Sequence, residues 1–386
     1  MASDLAMTAT TGLAVQLGGD AHLSNFGAYA SPERQLVFDA NDFDETLRGP
    51  WEWDLKRLAT SVMIAGQHLD FSSEDRRRAT TAATRGYRKA MTRFSAMGYL
   101  EAWRDYTSAE DRRSALKHRS DKLYLARFQK KAHRKTSLQA TKKMAEMVNG
   151  RLQIRSQAPV LLPLRELHAR YDSDALEAAA RSAFDAYKES LTDNRRWLVE
   201  RYDLLDIGIK VVGVGSVGTR ALVLLLQGRD ESDPLMLQAK EAESSVLEEY
   251  LTPSPYENHG RRVVEGQRIV QAQSDVFLGW AAGAGPDKRD FYIRQLRDWK
   301  GSVAIDGATP KQLVRYADLC GRTLARGHAR SGDPAAIRGY TGGGKNLDYA
   351  ITAFAEKYSA TNLQDFASFR AAIADGRLEA AETEIG

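Results

Sequence analysis

Two kinds of hydrophobic pattern alternate along this chain. Asp54–His68, Ser73–Met97, Ser137–Val148 and Lys311–Ala329 read as helices from their apolar spacing, and Ala178–Arg201 as a further long amphipathic one. Between them lies a strand-like zone. Asp206–Val212 and Asp290–Leu296 alternate apolar and polar residues, while Ala221–Leu226 is a short apolar run closed by Gly228-Arg229-Asp230 and followed by Leu235–Lys240. Pro159–Leu164 reads as a loop or edge strand leading into this zone. The pattern predicts an α+β protein in three stretches. Residues 1–158 and 301–386 form a helix-rich lobe, and residues 159–300 a smaller lobe around an antiparallel sheet.

The candidate chemistry starts near the amino terminus. Gly19-Asp20-Ala21-His22-Leu23-Ser24-Asn25 precedes a short hairpin-like stretch that ends in Asp42-Phe43-Asp44. An Asp, an Asn five positions on, and then an acidic strand end form the arrangement with which kinase-like phosphotransferases deprotonate a hydroxyl and hold magnesium. Mg²⁺ takes oxygen ligands and in nucleotide sites keeps one or two protein oxygens beside those of phosphate. Asn25, Asp42 and Asp44 are therefore the candidate metal ligands. Asp20 is the candidate base, and His22 the candidate donor to a phosphate oxygen. The plainer reading of Asp20-Ala21-His22 is a turn with a capping carboxylate.

A second motif, Gly213-Val214-Gly215-Ser216-Val217-Gly218, suits a kinase glycine loop, a Rossmann turn or a flexible hairpin. Strand, glycine loop, strand, turn and a strand ending in Lys240 is the order of a kinase small lobe. On that reading Gly213, Gly215, Ser216 and Gly218 cover the phosphates and Lys240 contacts them. A helix opening near Glu243 would supply its carboxylate partner, with Glu243, Glu248 and Glu249 as candidates and Glu248 among the cofactor-binding residues. The Rossmann alternative needs Ala221–Gln227 to be a helix, with Glu241 binding ribose.

Asp42-Phe43-Asp44-Glu45, the turn Gly49-Pro50, and Trp51-Glu52-Trp53-Asp54-Leu55 opening a buried helix resemble the metal-binding strand and following helix of the aminoglycoside phosphotransferase group of the kinase-like superfamily. That resemblance implies that Asp54 braces the catalytic loop through backbone amides; as a sequence feature it is equally a plain helix N-cap. Over nearly its whole length the chain resembles the bacterial domain-of-unknown-function 2252 proteins. The segments that carry this are Gln16–Gly27, Leu36–Leu58, Val211–Arg220, Leu237–Ala242, Asp290–Ser302 and Leu319–Asp333. Members usually carry a further segment before the catalytic loop, where this chain has Met1–Leu17. A kinase runs from glycine loop to catalytic loop, the reverse of the order here. The resemblance thus implies a circularly permuted, two-lobed kinase-like fold in which Lys311–Ala329 packs where the helix before the catalytic loop belongs.

Composition changes this picture little. The 386 residues are 43% hydrophobic, carry a net charge of +4 and include one cysteine, Cys320, which suits a reducing cytoplasm and excludes an internal disulfide framework. No long apolar run or leader pattern is present, so no membrane partner is expected. Basic residues crowd Arg112–Lys143, peaking at Lys130-Lys131-Ala132-His133-Arg134-Lys135; with few interleaved aromatics this reads as a solvated face and not a nucleic-acid site. Arg294 and Lys300 are basic and could face phosphate, with surface placement the plainer reading, and Gly342-Gly343-Gly344-Lys345 reads as a flexible turn. The expectation is an ATP- and Mg²⁺-dependent phosphotransferase with a small-molecule acceptor. The alternatives are nucleotidyl transfer, a nucleotide-binding protein without transferase activity, and a Rossmann-type dinucleotide enzyme.

Overall fold

A computed structural model describes residues 1–108, 110, 119–166, 173–210, 221–283, 289–296 and 299–378. The chain opens with α1 (Ala2–Ala6), β1 (Ala14–Gln16), β2 (Phe26–Ala30), β3 (Leu36–Ala40) and β4 (Arg48–Pro50). It continues through α2 (Trp51–His68), α3 (Ser73–Phe94), α4 (Tyr99–Arg104), α5 (Arg119–His133) and α6 (Ser137–Met144). The hairpin β5 (Ala145–Val148) and β6 (Arg151–Ile154) leads to β7 (Leu161–Pro163), α7 (Ser173–Glu189), α8 (Asp193–Val199), β8 (Asp203–Lys210), β9 (Ala221–Gln227) and β10 (Pro234–Ala242). The last part holds α9 (His259–Val270), β11 (Gly279–Ala282), β12 (Asp290–Gln295), β13 (Gly301–Ser302), α10 (Pro310–Ser331), α11 (Pro334–Thr341) and α12 (Asn346–Ala374).

The fold is α+β. Six strands run β7-β8-β9-β10-β12-β11 with every neighbouring pair antiparallel. Ala221–Gln227 is thus a strand in an antiparallel sheet, which removes the Rossmann alternative, since that fold needs a helix crossing between parallel strands. Its continuous apolar run has a simple cause. Leu224 and Leu226 enter one core with Phe184, Tyr187 and Ile207, whereas Val223 and Leu225 enter another with Met144, Ile154 and Met236. A strand buried on both faces loses the alternation of a half-exposed one.

The helices enclose the largest core, which joins Leu17, Leu23 and Phe26 to Trp51, Leu55, Leu58, Tyr87, Ala317 and Leu324. α3 and α10 meet glycine to backbone: a Cβ on Gly321 would lie 2.0 Å from the Ala83 carbonyl oxygen, and one on Gly86 2.5 Å from that of Asp318. Among the described residues no helix is long and apolar enough to cross a membrane.

Three expectations are corrected. The helix expected over Ser137–Val148 stops at Met144, and Ala145–Val148 becomes the first strand of a hairpin. Asn149 and Gly150, with φ of 49° and 73°, make its two-residue turn, and Asn-Gly is the sequence signal for such a turn. Ala178–Arg201 is two helices, broken where the Ser190 hydroxyl accepts from the Trp280 amide at 2.9 Å and ties the break to β11. No α-helix opens near Glu243. Only the short 3₁₀ turn Val246–Glu249 forms before α9 begins at His259, with Pro253 and Pro255 in between. The basic peak behaves as a solvated face, with Lys130, Lys131, His133, Arg134 and Lys135 exposed.

Candidate active site

The loop Gly18–Asn25 sits on the helical core. Asp54 lies one turn inside α2, whose N-cap is Pro50, so it is not the cap of its own helix. Its carboxylate instead accepts from the amides of Gly18 at 2.7 Å and Gly19 at 3.2 Å. Behind it, His328 of α10 places Nε2 at 3.3 Å from Asp54 Oδ2 and Nδ1 at 2.9 Å from the Tyr87 hydroxyl. Asp54 and His328 are both fully buried, and a neutral imidazole with its proton on Nε2 satisfies the whole chain: Tyr87 donates to Nδ1 and Nε2 donates to Asp54. The Leu23 amide donates to Ser61 Oγ at 3.0 Å, and the Tyr316 hydroxyl lies 2.8 Å and 3.0 Å from the carbonyls of Leu23 and Phe26. Gly19 has φ +88°, and a Cβ there would fall 2.1 Å from the Glu45 carbonyl oxygen, so only glycine lets the loop touch the neighbouring turn.

On this loop Asn25 donates from Nδ2 to the Asp20 carbonyl at 2.8 Å. Asp20 takes Arg57 Nε on Oδ1 at 2.7 Å, and Oδ2 lies 3.5 Å from His22 Nε2. Burial holds the His22 imidazole below its ordinary pKa, against the opposing pull of Asp20.

The turn Asp42–Thr46 is held from the other side. Buried Arg262 of α9 donates to the carbonyls of Asp44 and Thr46 at 2.7 Å and of Glu243 at 2.8 Å. The Ser245 hydroxyl and the Val246 amide donate to Glu45 Oε2 at 2.9 Å and 2.8 Å. Asp44 pairs with Lys240, and the Tyr292 hydroxyl donates to its other oxygen at 2.7 Å. Burial pushes the Tyr292 phenol well above its ordinary pKa, which keeps it a donor. Asp42 makes no such commitment. Its Oδ1 is buried and has no partner among the described residues, while its charge is felt by His22 on the loop and by Tyr292 and Arg294 on the sheet.

Lys240, buried at the end of β10, also faces a cleft of about 530 Å³. The walls of this cleft come from Tyr29–Ser31, Asn41, Gln238, Gln267, Gln271, Asp275 and the segment Arg294–Leu296. They carry five cationic side chains, Arg34, Lys210, Lys240, Arg294 and Lys300, against the single carboxylate of Asp275, so the space suits a polyanion. Arg294 and Lys300 both line the cleft; Lys300 is exposed as expected, whereas Arg294 is half-buried, and in β12 it lies directly opposite Gln238 and shares a sheet face with Lys240. Asp20, His22, Asn25 and Asp42 stand outside its walls.

The remaining expected residues fall as follows. Glu248 does not meet Lys240. Its Oε1 accepts from the Ser245 amide at 3.3 Å in a capping box and lies 3.6 Å from Arg262 Nε, because the chain turns away before α9. Gly213, Gly215, Ser216 and Gly218 lie outside the described residues, between β8 and β9, whose pairing is described as far as Lys210 opposite Ala221. Arg57, Arg262, Tyr292 and His328 escape a reading of the sequence because each meets a partner far along the chain. Only Tyr292 has a signal, its alternation with Arg294 along β12.

The residues present fit a magnesium-nucleotide site in one respect: a buried carboxylate oxygen on Asp42 lacks a partner among the described residues, and the Asn41 amide next to it donates to the Asn25 carbonyl at 2.9 Å. Among the described residues no three His, Cys, Asp or Glu side chains form a self-contained metal cage, and a site completed by phosphate oxygens does not require one. The chain belongs to the family described as "uncharacterized protein conserved in bacteria (DUF2252)", whose profile matches residues 1–372. No curated protein and no solved structure matches it.

Proposed function

We propose that this protein is an ATP- and Mg²⁺-dependent phosphotransferase acting on the hydroxyl of a small molecule, on a kinase-like fold with permuted motif order. The observation that carries the reading is convergence. The Asp20–Asn25 loop, the Asp42–Asp44 turn and Lys240, which pairs with Asp44 across 196 positions, come together beside a cation-lined cleft. The order of elements supports it further. From β8 the chain runs through β9, the Lys240 strand, α9, β11, β12 and α10, and the amino-terminal segment resumes at the end of α10, where the Gln16 amide donates to Ser331 Oγ at 3.0 Å.

In this reading Asn25 and Asp42 hold the metal, with Asp44 beside them. Bound there, Mg²⁺ supplies charge neutralisation to the phosphate chain. Asp20 Oδ2 accepts the proton of the acceptor hydroxyl while Arg57 holds the other carboxylate oxygen in place. The hydroxyl oxygen bonds to the γ-phosphorus as the β–γ bridge breaks, and ADP leaves. Lys240 exchanges Asp44 for a phosphate oxygen when nucleotide enters. A binding module without transfer is the second reading, favoured by the ion pair in which Arg57 engages the Asp20 carboxylate. Thermal-shift titration with ATP, with and without Mg²⁺, tests nucleotide binding, and a metabolite-pool screen with γ-³²P-ATP tests transfer. Stabilisation that needs both ATP and Mg²⁺, together with a labelled product, is expected. Absence of any ATP response would remove the reading, and binding without transfer from any pool would favour the module.

A further inference from the structure

We propose that Arg294 is a second phosphate-binding side chain, so that the cleft recognises its ligand by the polyphosphate chain through two neighbouring cations on one sheet face. The inference rests on the phosphotransfer reading and adds a residue to it. In the β10–β12 register Gln238 faces Arg294 and Lys240 faces Tyr292, which makes Lys240 and Arg294 diagonal neighbours, roughly 7 Å apart at the backbone. That spacing lets each reach a different phosphate of one chain.

The guanidinium is already oriented. Its Nε donates to Gln238 Oε1 at 3.4 Å and its Nη1 to the Asn41 carbonyl at 3.2 Å, while Nη2 has no partner among the described residues and the side chain lines the cleft. Two anchored nitrogens and one free one suit a planar fork that grips phosphate oxygens without further loss of side-chain freedom. One carboxylate among the described residues shares the wall, and Arg294 feels its charge, but it is engaged by backbone amides. Asp275, the acidic residue there, accepts from the amides of Gln295 at 2.5 Å and Phe277 at 2.9 Å. Asp42 and Asp44, whose charges Arg294 feels, lie on the side where the metal would be held.

The test measures binding of three probes, MgATP, magnesium tripolyphosphate and adenosine, to wild type, Arg294→Met and Arg294→Lys. Arg294→Met is expected to weaken both phosphate probes by about tenfold or more and to leave adenosine within about twofold. Arg294→Lys keeps the charge but not the fork and is expected to weaken the same two probes several-fold. Its retained thermal stability guards against a folding defect in the methionine variant. If wild type binds the phosphate probes and both folded variants bind them equally well, Arg294 has no such role. If wild type binds none of the probes, the phosphotransfer reading itself fails and this inference falls with it.

Discussion

The loop Gly18–Asn25 and the turn Asp42–Thr46 touch each other, yet they are held from opposite directions. The loop is fastened by the helical core, through Asp54, Arg57 and Ser61 of α2 and Tyr316 of α10. The turn is fastened by the sheet side, through Arg262, Ser245, Lys240 and Tyr292. Direct ties between the two are few: the Thr46 hydroxyl donates to the Leu17 carbonyl at 2.6 Å, and Gly19 packs on Glu45. The candidate base Asp20 and the candidate ligand Asn25 therefore answer to one body, and the candidate ligands Asp42 and Asp44 to another. Any relative movement of helices and sheet changes the spacing of Asp20 from Asp42, which is a way for ligand entry to complete the site.

The second difference is in satisfaction. Every polar group of the Tyr87–His328–Asp54 chain has a partner, while on the turn Asp42 keeps a buried oxygen with no partner among the described residues. A fully satisfied network costs stability when cut, whereas an unsatisfied one costs function.

The sharpest break in the comparison is Asp42→Ala. It should abolish magnesium-dependent stabilisation by ATP and leave the ligand-free melting temperature unchanged or higher, because the lost oxygen had no partner. Unchanged stabilisation by MgATP would remove Asp42 from the site.

Asp54→Ala cuts the satisfied side. Two loop amides and the His328 Nε2 proton lose their acceptor in a buried place, for an expected loss of about 3 kcal/mol in urea unfolding. A loss below about 1 kcal/mol would mean that water replaces the carboxylate and that the loop is not fastened as described.

Asp20→Asn should lower turnover by about 10²-fold while ATP affinity stays nearly constant, since the carboxylate meets the acceptor and not the nucleotide. Equal loss of affinity and turnover would instead make Asp20 part of the nucleotide site.

The smallest effect concerns pH. His22 is held below its ordinary value of 6.5 mainly by burial, so the unfolded chain binds this proton more readily than the folded one. The contribution is present above 6.5 and is lost as pH falls from there through the lowered folded value. His22→Gln should flatten the fall of unfolding free energy in that window. An unchanged slope would assign the fall to other groups.

Much of the local architecture was legible in the sequence. That Asp20 and Asn25 share one loop was legible from their spacing, whereas the bond from the Asn25 side chain to the Asp20 carbonyl is a finding of the structure. The helices α2, α3 and α10 and the strand β12 follow from periodicity, because a buried face imposes its repeat on the chain, while β9 and β10 follow from short apolar runs bounded by turn signals. The hairpin at Asn149-Gly150 was missed, because Ser137–Val148 reads as one helix although an Asn-Gly turn signal follows it.

What the sequence determined by itself is therefore the inventory: an Asp and an Asn in one loop, an acidic turn, and a lysine at the end of a strand. The tertiary structure decided the partners. Lys240 meets Asp44 and not Glu248, Arg262 clamps a turn more than two hundred positions away, and Arg294 faces a cleft and not solvent. The physical reason is that hydrophobic period and capping are settled within a turn or two of chain. Which charge meets which is settled by how helices and sheet pack, and no local pattern records that.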